Sequence, residues 1–363
     1  MFVKNCKEYE TFLSSIDNEK TKSTYISGLK KFEKWINLEH SSFNSWNELI
    51  KLSGKDIDSI LKNYVLFLKN DVSANSVSNL MVPVTNFFLV NDVYFNKDAI
   101  RKWYPKPTKK GNQHGYSLSM IQSMLKVAKT KRDVALLLFL ESGGLRSGAP
   151  EDLRICDVSD YEKGCKIITV YPDDVAEYET FITPEASIAL NEYFDERRLK
   201  GEILSPKSPL FAVSRKYCPG KSSEMGPMKW KSVYEMLEKL VKLSGIERKK
   251  SFNARFDIAM VHGLRKFFYT QLIAANVHPY NIKKLVGHKT GLEEIYGDQS
   301  TAQIFKEFSA AIPFLTISKD LRQLNEIVKL KDENSELKYE QEFSQMKNDI
   351  SELKDLFKDF INR

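Results

Sequence analysis

The sequence predicts a mostly α-helical protein with one small β-sheet, an α+β chain built in several parts. Three observations carry this. Apolar residues recur every three or four positions along most of the 363 residues, the period of helices buried on one face. Two short stretches, 166–171 and 178–183, are instead rich in Ile, Val, Thr and Tyr and flank a polar turn at Pro172-Asp-Asp, which is a hairpin pattern. From residue 317 onward prolines and glycines vanish and a different apolar period takes over.

Residues 1–104 read as helices throughout. Tyr25, Leu29, Phe32, Trp35 and Ile36 form one apolar stripe, and Ile57, Ile60, Leu61, Tyr64 and Phe67 form a second. Ser73-Ala-Asn-Ser76 is an N-cap signal for a third helix carrying Val77, Leu80, Met81, Val84 and Phe87. Lys and Arg outnumber Asp and Glu in this part. Both a solvated bundle and a bundle with a DNA-facing surface fit that excess. Residues 105–115, PKPTKKGNQHG, hold two prolines, two glycines and a Lys pair, with nothing apolar to bury, and read as a basic linker.

Residues 116–316 form the larger part. A helix is expected over 118–128 and a very apolar, buried one over 133–140. The hairpin follows. Thr183-Pro184 then opens another helix, with proline in its first turn where no backbone N–H is needed. Helical periods return at 228–243, 262–275 and 279–286. After these, Ile304, Phe308, Ile312 and Leu315 make a stripe suited either to its own domain or to a neighbouring subunit. In 317–363, Tyr339, Phe343, Met346, Ile350, Leu353, Phe357 and Phe360 alternate four and three apart, a heptad seam. An earlier run, Leu321, Leu324 and Val328, is out of phase with it. The expected element is a coiled-coil-like helix that self-associates, with packing back on its own domain as the alternative.

Composition narrows the function. Hydrophobic residues make up 42% and charged residues 28%, which suits a soluble globular chain, and the net charge of +7 with a pI near 8.9 suits a cationic working face. Nucleic acid is the first partner to expect. Cys6, Cys156, Cys165 and Cys218 fall in no CxxC or other metal-ligand spacing, so reduced thiols in a cytoplasmic protein are expected, and no metal. The first residues are charged, and no run of about 18 apolar residues occurs, so neither a leader peptide nor a membrane span is expected. No GxxxxGK[ST] or GxGxxG loop is present, so no nucleotide cofactor is expected.

Three stretches look chemically purposeful. Ser142-Gly-Gly-Leu-Arg146 follows the buried helix. His262-Gly-Leu-Arg265 places a histidine and an arginine three apart, on one helix face. Leu285-Val-Gly-His288 is followed eight residues later by Tyr296. Taken singly, each is ordinary: a surface charge, a salt-bridging pair, a helix end, a packed ring. Together, in this order and flanking a hairpin, they resemble the tyrosine recombinases, or phage-type integrases. The phrase HGLRKFFYTQL followed by VGHKTGL is most similar to archaeal integrases of mobile elements. The resemblance covers 116–316 by motif, as the catalytic domain. It extends to 1–104 by general character, as the helical core-binding domain that clamps DNA.

The resemblance implies site-specific cleavage and rejoining of double-stranded DNA, in integration or excision, by a tetramer and without metal or cofactor. Elementary chemistry agrees with the residue types. Arg146 and Arg265 offer forked guanidinium groups to a pentavalent phosphate. Tyr296 is the expected nucleophile, since a phenol leaves again more easily than an aliphatic alcohol and keeps the bond energy in a 3′-phosphotyrosyl link. His262 is assigned to the nucleophile's proton and His288 to a non-bridging oxygen, with the two roles exchangeable. The chain departs from the family at one point. The family carries a general-acid lysine in the hairpin turn, and the turn here, Tyr171-Pro-Asp-Asp-Val-Ala-Glu-Tyr178, has none. Lys163 and Lys166 lie just before it, and Lys166 is the candidate replacement. That departure keeps open a catalytically impaired DNA-binding protein of the same fold. A type IB topoisomerase-like relaxing enzyme is the other alternative.

Overall fold

The computed structural model describes residues 7–40, 43, 45–107, 113–213, 225–250, 256–288 and 299–324, with 327, 338 and 345–347 beyond them. The chain divides into two compact units, Met1–Gly111 and Asn112–Arg363.

The first unit is all helical: α1 (Lys7–Ser14), α2 (Glu19–Glu39), α3 (Trp46–Ile50), α4 (Gly54–Asp71), α5 (Ala74–Val90) and α6 (Lys97–Arg101). The predicted stripes are its core. Leu29, Phe32, Trp35, Ile36, Ile57, Ile60, Leu61, Tyr64, Val77, Met81, Val84 and Phe87 are all buried. Helix α2 starts where the Asn18 side chain accepts from the Thr21 N–H, and α4 where Ser53 accepts from Asp56. Helices α2 and α5 approach closely because Gly28 has no side chain. A Cβ there would stand 2.5 Å from Cγ of Pro83, the proline inside α5. The buried carboxylate of Glu33 in this core accepts a 2.9 Å hydrogen bond from Trp46 Nε1.

The second unit mixes helices with a small sheet. Its elements are α7 (Leu118–Val127), α8 (Lys131–Gly143), α9 (Ala149–Asp152), β1 (Val158–Asp160), β2 (Lys166–Val170), β3 (Tyr178–Ile182), α10 (Pro184–Leu199), α11 (Trp230–Leu243), α12 (Met260–Ala274), α13 (Pro279–Leu285) and α14 (Thr301–Leu315). The sheet is antiparallel in the order β1-β2-β3, with Lys166 opposite Ile182 at one end of the hairpin and Val170 opposite Tyr178 at the turn end. The hairpin is the predicted one. Strand β1 was not foreseen: three residues, Val-Ser-Asp, carry no alternating pattern to detect.

Helix α8 is the centre of this unit. Every residue from Ala135 to Gly143 is buried, packed against α10, α12 and β3. Such a helix has almost no amphipathic signature, because it has no solvent face. Helix α14 packs on α12, with Phe305, Phe308, Ala311 and Leu315 buried. The stripe anticipated for 304–315 therefore packs within its own unit. In the predicted tail seam, only Met346 is among the described residues, and it is 58% exposed. The other six seam positions lie outside them.

Candidate active site

The site is built where three helix ends meet the turn end of the hairpin. Helix α8 stops at Gly144, which has φ +59°, a left-handed conformation open to glycine at little cost. A Cβ at Gly144 would also stand 2.2 Å from Cδ1 of Phe268 on α12. The turn carries the chain through buried Leu145 to half-buried Arg146.

Helix α13 ends in a Schellman motif. The His288 N–H donates to Lys283 O at 2.9 Å and the Gly287 N–H to Lys284 O at 2.8 Å, with Gly287 at φ +62°. The Gly-His pair is thus a helix end, and that ending fixes His288 on the far side of the turn. Gly287 is required twice over, since a Cβ there would fall 2.4 Å from Cδ1 of Tyr178.

The two arginines bind these helix ends. Arg265, on α12 and only 5% exposed, donates through Nη1 to Gly144 O at 2.7 Å and through Nη2 to Val286 O. Arg146 donates through Nη2 to Gly287 O. Carbonyls left over at helix C-termini carry partial negative charge, which stabilises two cations side by side. Thr180 Oγ1 satisfies another of these carbonyls, Gly143 O, at 3.1 Å. Beneath the cluster lies Tyr178, whose ring centre is 5.4 Å from the Arg146 guanidinium carbon. Burial raises the Tyr178 hydroxyl above its ordinary pKa, and the two arginines pull it part of the way back. Burial lowers Arg265, and Tyr178 counters that.

His262 lies one turn before Arg265 on α12. Its pKa is lowered by desolvation first, then by the charges of Arg265, Lys266 and His288. His288 is lowered by desolvation, Arg265 and Arg146. Both imidazoles are therefore held neutral at pH 7, fit to accept one proton and to donate another. The structure thus brings Arg146, Arg265, His262 and His288 into one electrostatic neighbourhood. Arg146, Gly287, His288 and the hairpin residue Tyr178 line a cavity of about 690 Å³, together with Lys284 and Gln299. Tyr296 lies in 289–298, outside the described residues.

Lys166 does not join them. Its ammonium is paired with Asp160, and it stands opposite Ile182, at the end of the hairpin away from Tyr178. Four residues of strand separate it from Val170, about 13 Å at ~3.3 Å per residue. Lys166, expected to replace the hairpin lysine, thus sits at the far end of the hairpin with its ammonium paired. Lys163 is likewise engaged elsewhere, donating to Ser309 Oγ at 3.1 Å. The turn itself is knotted by its acids: Asp173 N–H donates to Glu177 Oε2 at 2.7 Å and Ala176 N–H to Asp174 Oδ1 at 2.8 Å. Tyr178 and Lys284 are parts of the site that the sequence did not single out. Tyr178 read only as part of the hairpin's second strand, and Lys284 fell only within the helical stretch 279–286.

Residues 117–295 match the phage integrase family. This segment is a phage integrase family domain. No curated protein matches the chain significantly. Several solved structures share its fold. The integrase of transposon Tn1549 in complex with a circular intermediate DNA is 15% identical, covering 83% of this chain and 98% of that one, with a TM-score of 0.55. The XerH site-specific recombinase bound to its difH substrate is 18% identical over 78% of each chain, with a TM-score of 0.53. A lambda integrase tetramer bound to a Holliday junction is 15% identical, covering 79% and 76%, with a TM-score of 0.51. The integrase domain thus holds the four charged and imidazole groups, and its family match ends one residue before Tyr296.

Proposed function

We propose that this protein is a site-specific DNA recombinase that cuts and rejoins strands through a 3′-phosphotyrosyl intermediate. The observation that carries the reading is the grouping of Arg146, Arg265, His262 and His288 in one electrostatic neighbourhood, with Arg146 and His288 lining a cavity, within an integrase domain. Binding alone needs no such set. Each guanidinium has five N–H donors and spends only one or two on the helix ends. The remainder fork onto the non-bridging oxygens of the scissile phosphate and neutralise its pentavalent transition state. Tyr296 Oη attacks phosphorus, its proton passing to neutral His262, while His288 donates to a non-bridging oxygen. The P–O5′ bond breaks. Because the phosphotyrosyl bond conserves the energy of the bond lost, attack by another strand's 5′-hydroxyl reseals DNA without any cofactor.

Chain connectivity supports Tyr296 as nucleophile. The undescribed segment starts after His288 and ends before Gln299, and both of these line the cavity. Tyr296 precedes Gln299 by three residues in the sequence.

The remaining assignments follow from this reading. The helices of 1–104 clamp duplex DNA together with the catalytic domain at 116–316, joined by the basic linker 105–115. Four protomers act on two sites, and the 317–363 tail contributes to their assembly through its heptad seam. The HGLRKFFYTQL and VGHKTGL phrases favour an archaeal mobile element as the source, and a cytoplasmic site of action accords with a DNA substrate.

The test is trapping on a nicked suicide DNA substrate, wild type against Tyr296→Phe. An adduct resistant to denaturation, absent from the variant, is the expected result. An adduct that persists moves the nucleophile to another tyrosine, Tyr269 or Tyr280 first. Tight DNA binding without any adduct favours the impaired binding protein. Relaxation of supercoils at no particular sequence favours the topoisomerase-like reading.

A further inference from the structure

We infer that Lys284 is the general acid that protonates the departing 5′ oxygen, in place of the absent hairpin lysine. The inference rests on the recombinase reading above. The reaction needs such a group: an alkoxide leaves phosphorus poorly unless a proton reaches it as the bond breaks.

Position narrows the choice. The hairpin turn offers Pro172, Asp173, Asp174, Val175, Ala176 and Glu177, with no lysine, and its two aspartates and its glutamate are spent on its own backbone or repel a phosphate. Lys166 pairs with Asp160 at the other end of β2, and Lys163 donates to Ser309. Among the described residues lining the cavity, Lys284 is the one lysine, and it shares that lining with Arg146 and His288.

The backbone of Lys284 is fixed by the same motif that places His288. Its carbonyl accepts the Gly287 N–H at 2.8 Å, so the two side chains leave one rigid helix end a single turn apart. The Lys284 ammonium lies 5.0 Å from the centre of the Tyr280 ring, a cation–π contact on the same helix. A phosphate in the cavity competes with the ring face for that ammonium. Glu177 and Glu179 also line the cavity and balance its positive charge.

The step balances as follows. Tyr296 Oη forms its bond to phosphorus, the P–O5′ bond breaks, and its electron pair stays on O5′. O5′ takes one proton from Lys284 Nζ, leaving a neutral amine and a free 5′-hydroxyl. In the rejoining direction the amine takes that proton back as the hydroxyl attacks.

Replacing O5′ by sulfur tests this, because a thiolate leaves without protonation. The full-length protein is assayed for adduct formation on the oxygen substrate and on a 5′-bridging phosphorothioate. Lys284→Ala and Lys284→Arg are expected to cut the oxygen substrate at least ~100-fold more slowly than wild type, the range of general-acid effects. Both variants are expected to match wild type within about threefold on the sulfur substrate, since the thiolate needs no acid. Arg146→Ala, which removes charge stabilisation instead, should be slow on both. Equal slowing of Lys284→Ala on both substrates, or no slowing on oxygen, would overturn the proposal. A wild-type protein that gives no adduct even on sulfur would sink the recombinase reading itself, a result distinct from either.

Discussion

Phe268 of α12 occupies the space that any side chain on Gly144 would need: an added Cβ would stand 2.2 Å from its Cδ1. Gly144 also has φ +59°, so alanine there meets two costs, backbone strain and a clash in a fully packed core. Gly245 separates them, since it has φ +71° with nothing within 4 Å of a Cβ. Gly245→Ala is expected to cost about 1 kcal/mol, the strain alone. Gly144→Ala is expected to cost at least about 3 kcal/mol and to abolish adduct formation, because Arg146 follows two residues later. Denaturant melts of both variants check this, and equal losses would show that Phe268 can move aside.

The two arginines are expected to differ although both face the phosphate. Arg265 ties Gly144 O at the end of α8 to Val286 O at the end of α13, and it is 5% exposed. A lysine cannot fork across both carbonyls. Each lost charge-assisted bond is worth about 1.5–3 kcal/mol. Arg265→Lys should therefore lower the melting temperature, by ~2–4 °C per kcal/mol for a unit of this size, as well as stopping cleavage. Arg146 is half-buried and makes one such bond, to Gly287 O. Arg146→Lys should stop cleavage with a much smaller thermal shift. Equal thermal shifts would mean that Arg265 acts on the phosphate only.

Much of this site could be read from the chain, for physical reasons. His262 and Arg265 are three apart, so any helix puts them on one face, and Gly-His at 287–288 marks a helix end in sequence as in space. The helix stripes of the first unit were equally plain, because those helices have one solvent face each. Three things were not legible. Strand β1 is too short to show a period. The role of Tyr178 depends on Gly287 approaching its ring, a contact across more than a hundred residues of sequence. The pairing of Lys166 with Asp160 depends on the register of β1 against β2, which places these two residues opposite each other. Contacts made by register and by close approach leave little trace in local pattern.

Glu141 supplies a pH dependence. It is 0% exposed in the last turn of α8, and among the described residues neither carboxylate oxygen has a hydrogen-bond partner. Burial, reinforced by Glu185, raises its pKa well above the ordinary 4.5, so the folded protein holds it protonated. The unfolded chain loses that proton as pH rises past 4.5 and the folded chain does not. Stability from this group is therefore complete below that pH. It is lost as pH rises toward the folded value, by about 1.4 kcal/mol per pH unit. Glu141→Gln keeps the shape and removes the proton. The stability of the variant relative to wild type should grow between pH 5 and pH 7, measured by urea unfolding at each. A difference that stays constant would mean that Glu141 ionises equally in both states.

The last prediction concerns where the folded unit ends. Glu185, in the first turn of α10, accepts the Ile317 N–H at 2.6 Å and the Ser318 N–H at 2.9 Å, and Gln122 Nε2 donates to Ile317 O at 2.8 Å. Ile317 itself is fully buried. The chain is thus anchored through Ser318. A protein ending at Leu324 retains all of these bonds. It is expected to melt close to the full chain, since every bond that anchors Ile317 and Ser318 is kept. A protein ending at Ile312 loses the buried side chains Leu315 and Ile317 and both Glu185 bonds, so it should melt far lower. Oligomeric mass by light scattering then tests the heptad seam separately. If the seam assembles the protein, the full chain exceeds its 41.9 kDa protomer mass and the 1–324 form has a lower oligomeric mass. The truncated form should still give the phosphotyrosyl adduct, since every group assigned to cleavage precedes residue 300. An unchanged mass after truncation would leave assembly to the two folded units alone and the tail to some other partner.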